Sequence, residues 1–484
     1  MTVLLDPQSL AIRPLLDGIQ GNILKSHGRH HTANIFIRCY DGQQTSAKAW
    51  LKSLVEGEDA IIQSGYAQLR TNVLWKEERV DTGLFACIHI SAAGYDYLFG
   101  SNKRALFDDV AFQNGMKQSP LNDPAPETWD SGLAVDNHFM LLLAHANPES
   151  LTESIHTIVQ PIESFAEITA LEKGDALLNK EKAGIEHFGY VDGISQPLFF
   201  TDEWETYVKN NNIKDEADIR FDPRAAKELV LVQDPFLPND SNALGSYFVF
   251  RKLEQNVKGF KLAEENLAAE LGLEGEDKER AGAMLVGRFE DGTPVELSDE
   301  AGLINSAVLN NFDYNLIEGS KCPFHGHIRK TNPRSSMPAG SGGMEEAKKH
   351  SMARRGIPFG KRTDDPNDGH ISNKPEGCVG LLFMSYQNSI TTQFELIQSQ
   401  WANNQRFPHT TSGHINHDGI DSIIGQALAQ SPDEQNPRGD GAYAAEWGNS
   451  LTQQRASFAQ FVHLKGGEYF FAPSMSFLKR IDKL

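Results

Sequence analysis

Three short stretches of the chain join a titratable side chain to glycine or proline, residues that let a backbone hold a reactive group in an uncommon shape. In 188–197, FGYVDGISQP, Asp192 lies between Tyr190-Val191 and Gly193 in a run otherwise poor in charge. Asp-Gly is a turn dipeptide, so Asp192 is either a turn former or a working acid. Phe188, Tyr190, Ile194 and Pro197 around it would partly desolvate the carboxyl and make its protonation responsive. In 322–334, CPFHGHIRKTNPR, His325 and His327 are followed by Arg329, Lys330 and Arg334. On a strand the two histidines would share a face and could chelate one metal, with no third and fourth ligand evident. The alternative is one axial histidine on a haem iron, the cations neutralising the haem propionates. In 352–360, MARRGIPFG, Arg354 and Arg355 precede Gly356 and the rigid Ile357-Pro358 step. Paired arginines are commonly solvated or salt-bridged. Beside a polar reaction centre such a guanidinium, always protonated, would stabilise developing negative charge.

The elements that must position these residues alternate in type. HTANIFIRCY (31–40), LFACIHI (84–90) and HFMLLLAHA (138–146) read as strands, with helix-like stretches at 45–65 and 148–167. A second set of apolar runs follows at 245–253, 283–289, 327–332 and 379–387, again alternating with helices. Helical spacing covers 253–273, and Ile390, Phe394, Ile397 and Trp401 form an i, i+4, i+7, i+11 stripe. The expectation is an α+β chain of two similarly built halves divided near 215–240, with no sequence repeat between them. Segments rich in Gly, Pro, Ser, Asn and Asp at 335–343, 362–377, 403–419 and 431–440 are candidate pocket rims.

With 484 residues the chain can hold two or three compact units. Its 39% hydrophobic and 23% charged content describes a soluble globular protein and not an integral membrane or disordered one. A formal charge of −20 repels phosphate backbones and anionic lipid, which argues against nucleic acid and membrane partners. Cys39, Cys87, Cys322 and Cys378 are far apart and read as separate thiols. No phosphate loop, H-E-x-x-H pair or G-x-S-x-G elbow is present. The first 16 residues lack a basic region before an apolar run, so a cytoplasmic location is expected; export with another protein, or packaging in a protein shell, would leave no mark.

Together these segments resemble the dye-decolourising (DyP-type) peroxidases. The likeness also takes in IQGNIL (19–24), GSYFVFRKL (245–253), GLLFMSYQ (380–387), QWANN (400–404) and EYFFAPSMSFL (468–478), in the family's order and over nearly the whole chain. Their form is similar to the longer bacterial branch that resembles the fungal enzymes. The resemblance implies two ferredoxin-like α+β domains, antiparallel sheets with peripheral helices: residues 1–220 carrying the distal acid and residues 221–484 seating one haem b. It assigns Asp192 as the distal acid, His327 and not His325 as the proximal iron ligand, and Arg354 as the distal arginine, with Arg355 second. Leu381 and Phe383 would line the distal side, Arg329 and Arg334 would contact the cofactor, and Asp421 would support His327, although Ser422 follows it where many relatives have proline.

The reaction so implied is reduction of hydrogen peroxide at haem, Asp192 shuttling a proton between the peroxide oxygens, with one-electron oxidation of dyes and of phenolic or other aromatic donors. An aspartate base, with a reference pKa of about 3.9, implies an optimum at acidic pH, roughly 4 to 5. Bulky donors could be oxidised through surface radicals on Trp401, Tyr386 or Trp447, and homo-oligomers are a family habit. A haem-handling protein and a non-haem metal protein using His325 and His327 are the competing readings; only the peroxidase needs Asp192 and Arg354 together.

Overall fold

Every residue of FACIHIS and FMLLLAH is buried, which a continuous apolar strand requires: packed layers on both faces. The computed structural model describes residues 3–58, 60–78, 80–303, 309–314, 320–338, 340–408, 419–426 and 438–484. The first half runs β1 (His31–Cys39), α1 (Gln44–Ser53), α2 (Gly65–Glu78), β2 (Phe85–Ser91), β3 (Phe139–His145), α3 (Pro148–Ile162) and β4 (Ala166–Asp175). Asn147 caps α3 by accepting a hydrogen bond from Ser150 N at 2.7 Å. The second half runs β5 (Leu244–Gln255), α4 (Val257–Glu270), α5 (Glu279–Val286), α6 (His327–Thr331), β6 (Ala353–Arg354), β7 (Ile357–Phe359), β8 (Gly380–Gln387), two consecutive π-helical segments (Ile390–Glu395 and Ile397–Ala402), β9 (Arg438–Glu446), β10 (Asn449–Ala459) and β11 (Val462–Ala472).

Among the described residues ten strands form one antiparallel sheet in the order β7-β8-β5-β11-β2-β3-β1-β4, with β6 on β8 and Val232–Gln233 on β5. Each half therefore repeats one order, second-third-first-fourth, if β5, β7, β8 and β11 are the four strands of the second; this is the ferredoxin-like α+β arrangement. The two half-sheets are joined: Phe470 and Phe471 of β11 pair with Ser91 and Ile90 of β2 and make them continuous. The sheet also curls back on itself, since a Cβ on Gly174 of β4 would meet Ile357 of β7 at 2.4 Å. One core fills the inside, with Phe36, Met140 and Leu142 from the first half against Phe248, Phe250, Leu382, Met384 and Phe470 from the second. A second joins the helices to the outer faces through Trp50, Leu51, Leu151, Ile155, Phe260, Leu267, Ile390 and Phe394, and a smaller third gathers Ala283, Phe289, Val295, Phe312 and Tyr314.

Two apolar runs grouped with the strands are helical. Residues 283–289 fall largely in α5, which Gly287 closes at φ 97°. Residues 327–332 fall in α6, where Arg329 N and Lys330 N donate to Gly326 O and Pro333 blocks continuation. A short apolar run fits a buried helix as well as a strand, and only the flanking glycine and proline separate the two. The stripe from Ile390 to Trp401 is buried at all four positions as expected, but its backbone is π-helical. No helix among the described residues is long and apolar enough to cross a membrane.

Candidate active site

Asp192 sits on a turn whose backbone is tied at nearly every residue. Glu186 accepts hydrogen bonds from Phe188 N at 2.9 Å and Tyr190 N at 3.1 Å. Val191 N donates to Glu290 O, and Asp192 N to Gly184 O, both at 3.0 Å. The chain reverses through Gly189 at φ 102° and Gly193 at φ 79°, values open to glycine and strained for other residues. Tyr190 is anchored from outside, its hydroxyl donating to Glu264 at 2.5 Å while Lys261 bridges Glu264 and Glu290. The aromatic residues beside Asp192 do not desolvate it as expected: Phe188 stacks on Phe260 with centroids 3.9 Å apart, and the Asp192 carboxyl stays exposed.

A cavity of about 260 Å³ opens beside this turn. Glu186, Asp192, Ile194 and Ser195 line it from the turn, Arg354 from β6, Leu381 and Phe383 from β8, and Phe394 and Ile397 from the π-helical segment. His327 and Ile328 of α6 line it too, with Ile423 and Ile424. Arg354 is linked to the turn, its guanidinium donating to Ile194 O and its N–H to Gln196 Oε1 at 3.1 Å. Arg355 is not at the cavity; it is half-buried and donates to Asn22 O and Ile23 O at 2.7 and 2.8 Å, holding the N-terminal segment.

His327 Nδ1 lies 2.9 and 3.1 Å from the two carboxylate oxygens of Asp421. Asp421 is buried, and its Oδ1 also accepts Ile423 N and Ile424 N at 2.8 and 3.0 Å. Burial opposes a charge on His327, but the Asp421 carboxylate more than offsets it and holds the imidazole above its ordinary value. With Nδ1 engaged, Nε2 is the nitrogen left for the cavity. His325 does not share that face. It is buried edge-on to Tyr443, ring centroids 4.6 Å apart, and a Cβ on Gly441 of β9 would meet its ring at 2.6 Å. Among the described residues no three His, Cys, Asp or Glu side chains are grouped to hold a metal ion, so the paired-histidine chelate finds no support.

Of the two arginines assigned to the cofactor, Arg334 lines the cavity and Arg329 does not. Arg329 is buried between the rings of Tyr314 and Phe324 and donates to Cys322 O at 2.7 Å. Arg334, at φ 51°, lies 3.8 and 4.0 Å from the rings of Phe312 and Phe221 and donates to Asn310 Oδ1 at 2.7 Å; its Nε is buried with no hydrogen-bond partner among the described residues. Arg288 is a cavity residue that the motifs miss, masked in sequence by the adjoining Glu290 and Asp291. Burial and the neighbouring Arg334 push it down to about 9. Neither Arg288 nor Arg334 forms a salt bridge among the described residues, and the Asp313 carboxylate acts on Arg334 from a distance.

Two of the three expected surface radicals, Tyr386 and Trp401, are not at the surface. Tyr386 is fully buried with its hydroxyl 2.9 Å from His89 Nε2, and Trp401 is 4% exposed and stacked on Phe407 at 5.0 Å. Trp447 is half-buried and donates to Asp299. Of the anticipated rims, 335–343 and 362–377 contribute nothing to the cavity lining; most of 403–419 and 431–440 lies outside the described residues. Segment 362–377 instead buttresses the Asp192 turn from behind, Arg362 donating to His187 O and Asn367 to Gly189 O.

Comparison with known proteins places these features in company. The family model described as Dyp-type peroxidase, C-terminal, matches residues 222–413. The chain is 40% identical over 476 residues to the multifunctional dye peroxidase DyP2 of Amycolatopsis sp., covering 96% of each. It is 31% identical to a dye-decolorizing peroxidase of Exidia glandulosa, covering 97% of this chain and 88% of that one. Among solved structures, the DyP-type peroxidase of Anabaena sp. superposes with a TM-score of 0.87 at 35% identity, over 99% of this chain and 97% of that one.

Proposed function

Since the chain belongs to the dye-decolourising (DyP-type) peroxidase family, we propose a division of labour for the side chains around its cavity. The protein is a haem peroxidase acting on hydrogen peroxide and dyes. The cavity suits that cofactor: one imidazole nitrogen free to ligate, an apolar lining from Leu381, Phe383, Ile328 and Ile424, and a buried Arg334 Nε in want of an acceptor. His327 Nε2 would hold the iron, and Arg334 and Arg288 the propionates. Bound haem supplies the iron that takes up peroxide oxygen and a store for the oxidising equivalents that donors later remove.

The protein's own work follows from its geometry. Asp421 fixes the His327 ring and, by accepting from Nδ1–H, makes Nε2 a stronger donor. An Asp192 oxygen takes a proton from one peroxide oxygen and returns it to the other, which leaves as water. The Arg354 guanidinium, held by Ile194 O beside that turn, stabilises the charge on the departing oxygen. Phenolic and dye donors give one electron each, fastest at acidic pH, because completing the reduction of peroxide to two waters takes up two further protons. Because Trp401 and Tyr386 are buried, bulky donors would react at the cavity mouth.

The observation that carries this reading is the single cavity shared by the His327–Asp421 pair and by Asp192 with Arg354. It is tested on the haem-loaded protein by visible spectroscopy. His327→Ala should weaken haem retention by more than about 100-fold, beyond what loss of a supporting partner costs. Full retention with an unchanged Soret band would place the iron on another residue.

A further inference from the structure

We infer that Glu186, together with Gln255, is a second proton-holding group of this cavity, one that exchanges a proton with the Asp192 carboxyl. This rests on the reading of Asp192 as the acid–base group. Glu186 lines the cavity, and its carboxylate accepts Phe188 N and Gln255 Nε2 on Oε2 and Tyr190 N on Oε1. Gln255, the last residue of β5, is 4% exposed, also lines the cavity, and its Oε1 is buried without a partner among the described residues. That oxygen is the acceptor a carboxylic acid needs. Ionised, Glu186 accepts from the amide nitrogen; protonated, it donates from Oε2 to the amide oxygen once the amide turns over. One glutamine thus serves both protonation states.

The surrounding charges suit such a group. Burial, with Asp192 adding to it and the three donors opposing, pushes Glu186 up to about 7. Across from it on α4, Lys261 is neutralised between Glu264 and Glu290. Arg362, which donates to His187 O, is paired with Asp364, and Arg251 of β5 with Asp123. His187 itself is driven down to about 4 by burial and is neutral. The arginines of the same cavity, Arg288, Arg334 and Arg354, line it too, and Asp192 is the charge that acts on Glu186 directly.

The stoichiometry gives the group its work: H2O2 + 2 e− + 2 H+ → 2 H2O. A phenol brings a proton with each electron. A donor of electrons alone, such as ferrocyanide, does not, and both protons must then come from solution. Asp192 carries one at a time, and Glu186 refills it.

The test uses holoenzyme, wild type against Glu186→Gln, with ferrocyanide and a simple phenol as donors from pH 5 to 8. The ferrocyanide-to-phenol turnover ratio should fall by about tenfold in Glu186→Gln, a modest share of what a positioned acid contributes. In infrared difference spectra a protonated-carboxyl band that titrates near neutrality should be present in wild type and Asp192→Asn and absent in Glu186→Gln. Gln255→Leu, which leaves the carboxyl in place, should move that band without removing it. A band that survives Glu186→Gln, or equal loss with both donors, overturns the inference. Wild-type peroxide consumption by Asp192→Asn would overturn instead the reading on which it stands.

Discussion

The two walls of the cavity are built by opposite means. On the Asp192 wall the backbone is immobilised, through Glu186, Gly184 O and Glu290 O, while the carboxyl at its tip is left exposed. On the His327 wall the side chains are immobilised: Asp421 is buried, accepts two backbone amides and clamps Nδ1. A group that must gain and lose a proton each cycle needs solvent or a polar relay. A ligand that must keep one orientation needs a desolvated partner, because hydrogen bonds to a charge strengthen as water is excluded.

Substitutions that strip the reactive atom from each wall without disturbing its scaffold break the comparison most directly. Asp192→Asn keeps the turn, since among the described residues the backbone donor to the carboxylate is Gly193 N on Oδ1, an oxygen that asparagine retains. Stopped-flow mixing with peroxide should show the first step slowed by about 10²–10⁴-fold, the usual range for a positioned acid–base group, with the Soret band of the resting protein unchanged. Asp421→Asn should do the reverse, changing the resting spectrum through a freed imidazole and costing about 10–100-fold in haem affinity or activity. If Asp421→Asn left spectrum and affinity alone while Asp192→Asn shifted the resting spectrum, the roles of the walls would be exchanged.

The same contrast explains what could be read from the sequence. Asp192, His327, Arg354, Leu381 and Phe383 were legible because each lies in a short motif whose resemblance fixes its position, and all five converge on one cavity. Arg329 was misplaced by local geometry. As a strand, 327–332 would send His327 and Arg329 to one face, but in α6 residues two apart lie about 200° around the axis, so Arg329 turns into the core while Ile328 and Thr331 stay at the cavity. Arg355 lost its place to alternation beside Arg354. Arg288 and Glu186 carried no signal, since an arginine among acids and a glutamate six residues before an aspartate look like ordinary surface charge until the fold brings them to the cavity. The closure of two half-sheets through only two residue pairs of β2 and β11 is a long-range contact that no local pattern encodes.

A smaller effect sharpens the contrast through stability. Glu186 titrates at about 7 in the folded protein against an ordinary value of 4.5, so between those values the native state keeps a proton that the unfolded chain releases. The native state then binds more protons, and its stability falls as pH rises through that window, by an amount on the order of 3 kcal/mol for this one group. Asp234, raised to about 6 by burial, acts in the same direction. His27 and His89, both driven down to about 3 by burial, act in the opposite one, so the total curve does not isolate Glu186. The difference between wild type and Glu186→Gln does. Urea midpoints measured from pH 4.5 to 8 should converge toward the acid end, where both side chains are neutral, and separate in favour of the glutamine variant above neutrality. Parallel curves would mean that Glu186 ionises in the native state as readily as in the unfolded chain, and the Asp192 wall would then be as fixed in charge as the wall that carries His327.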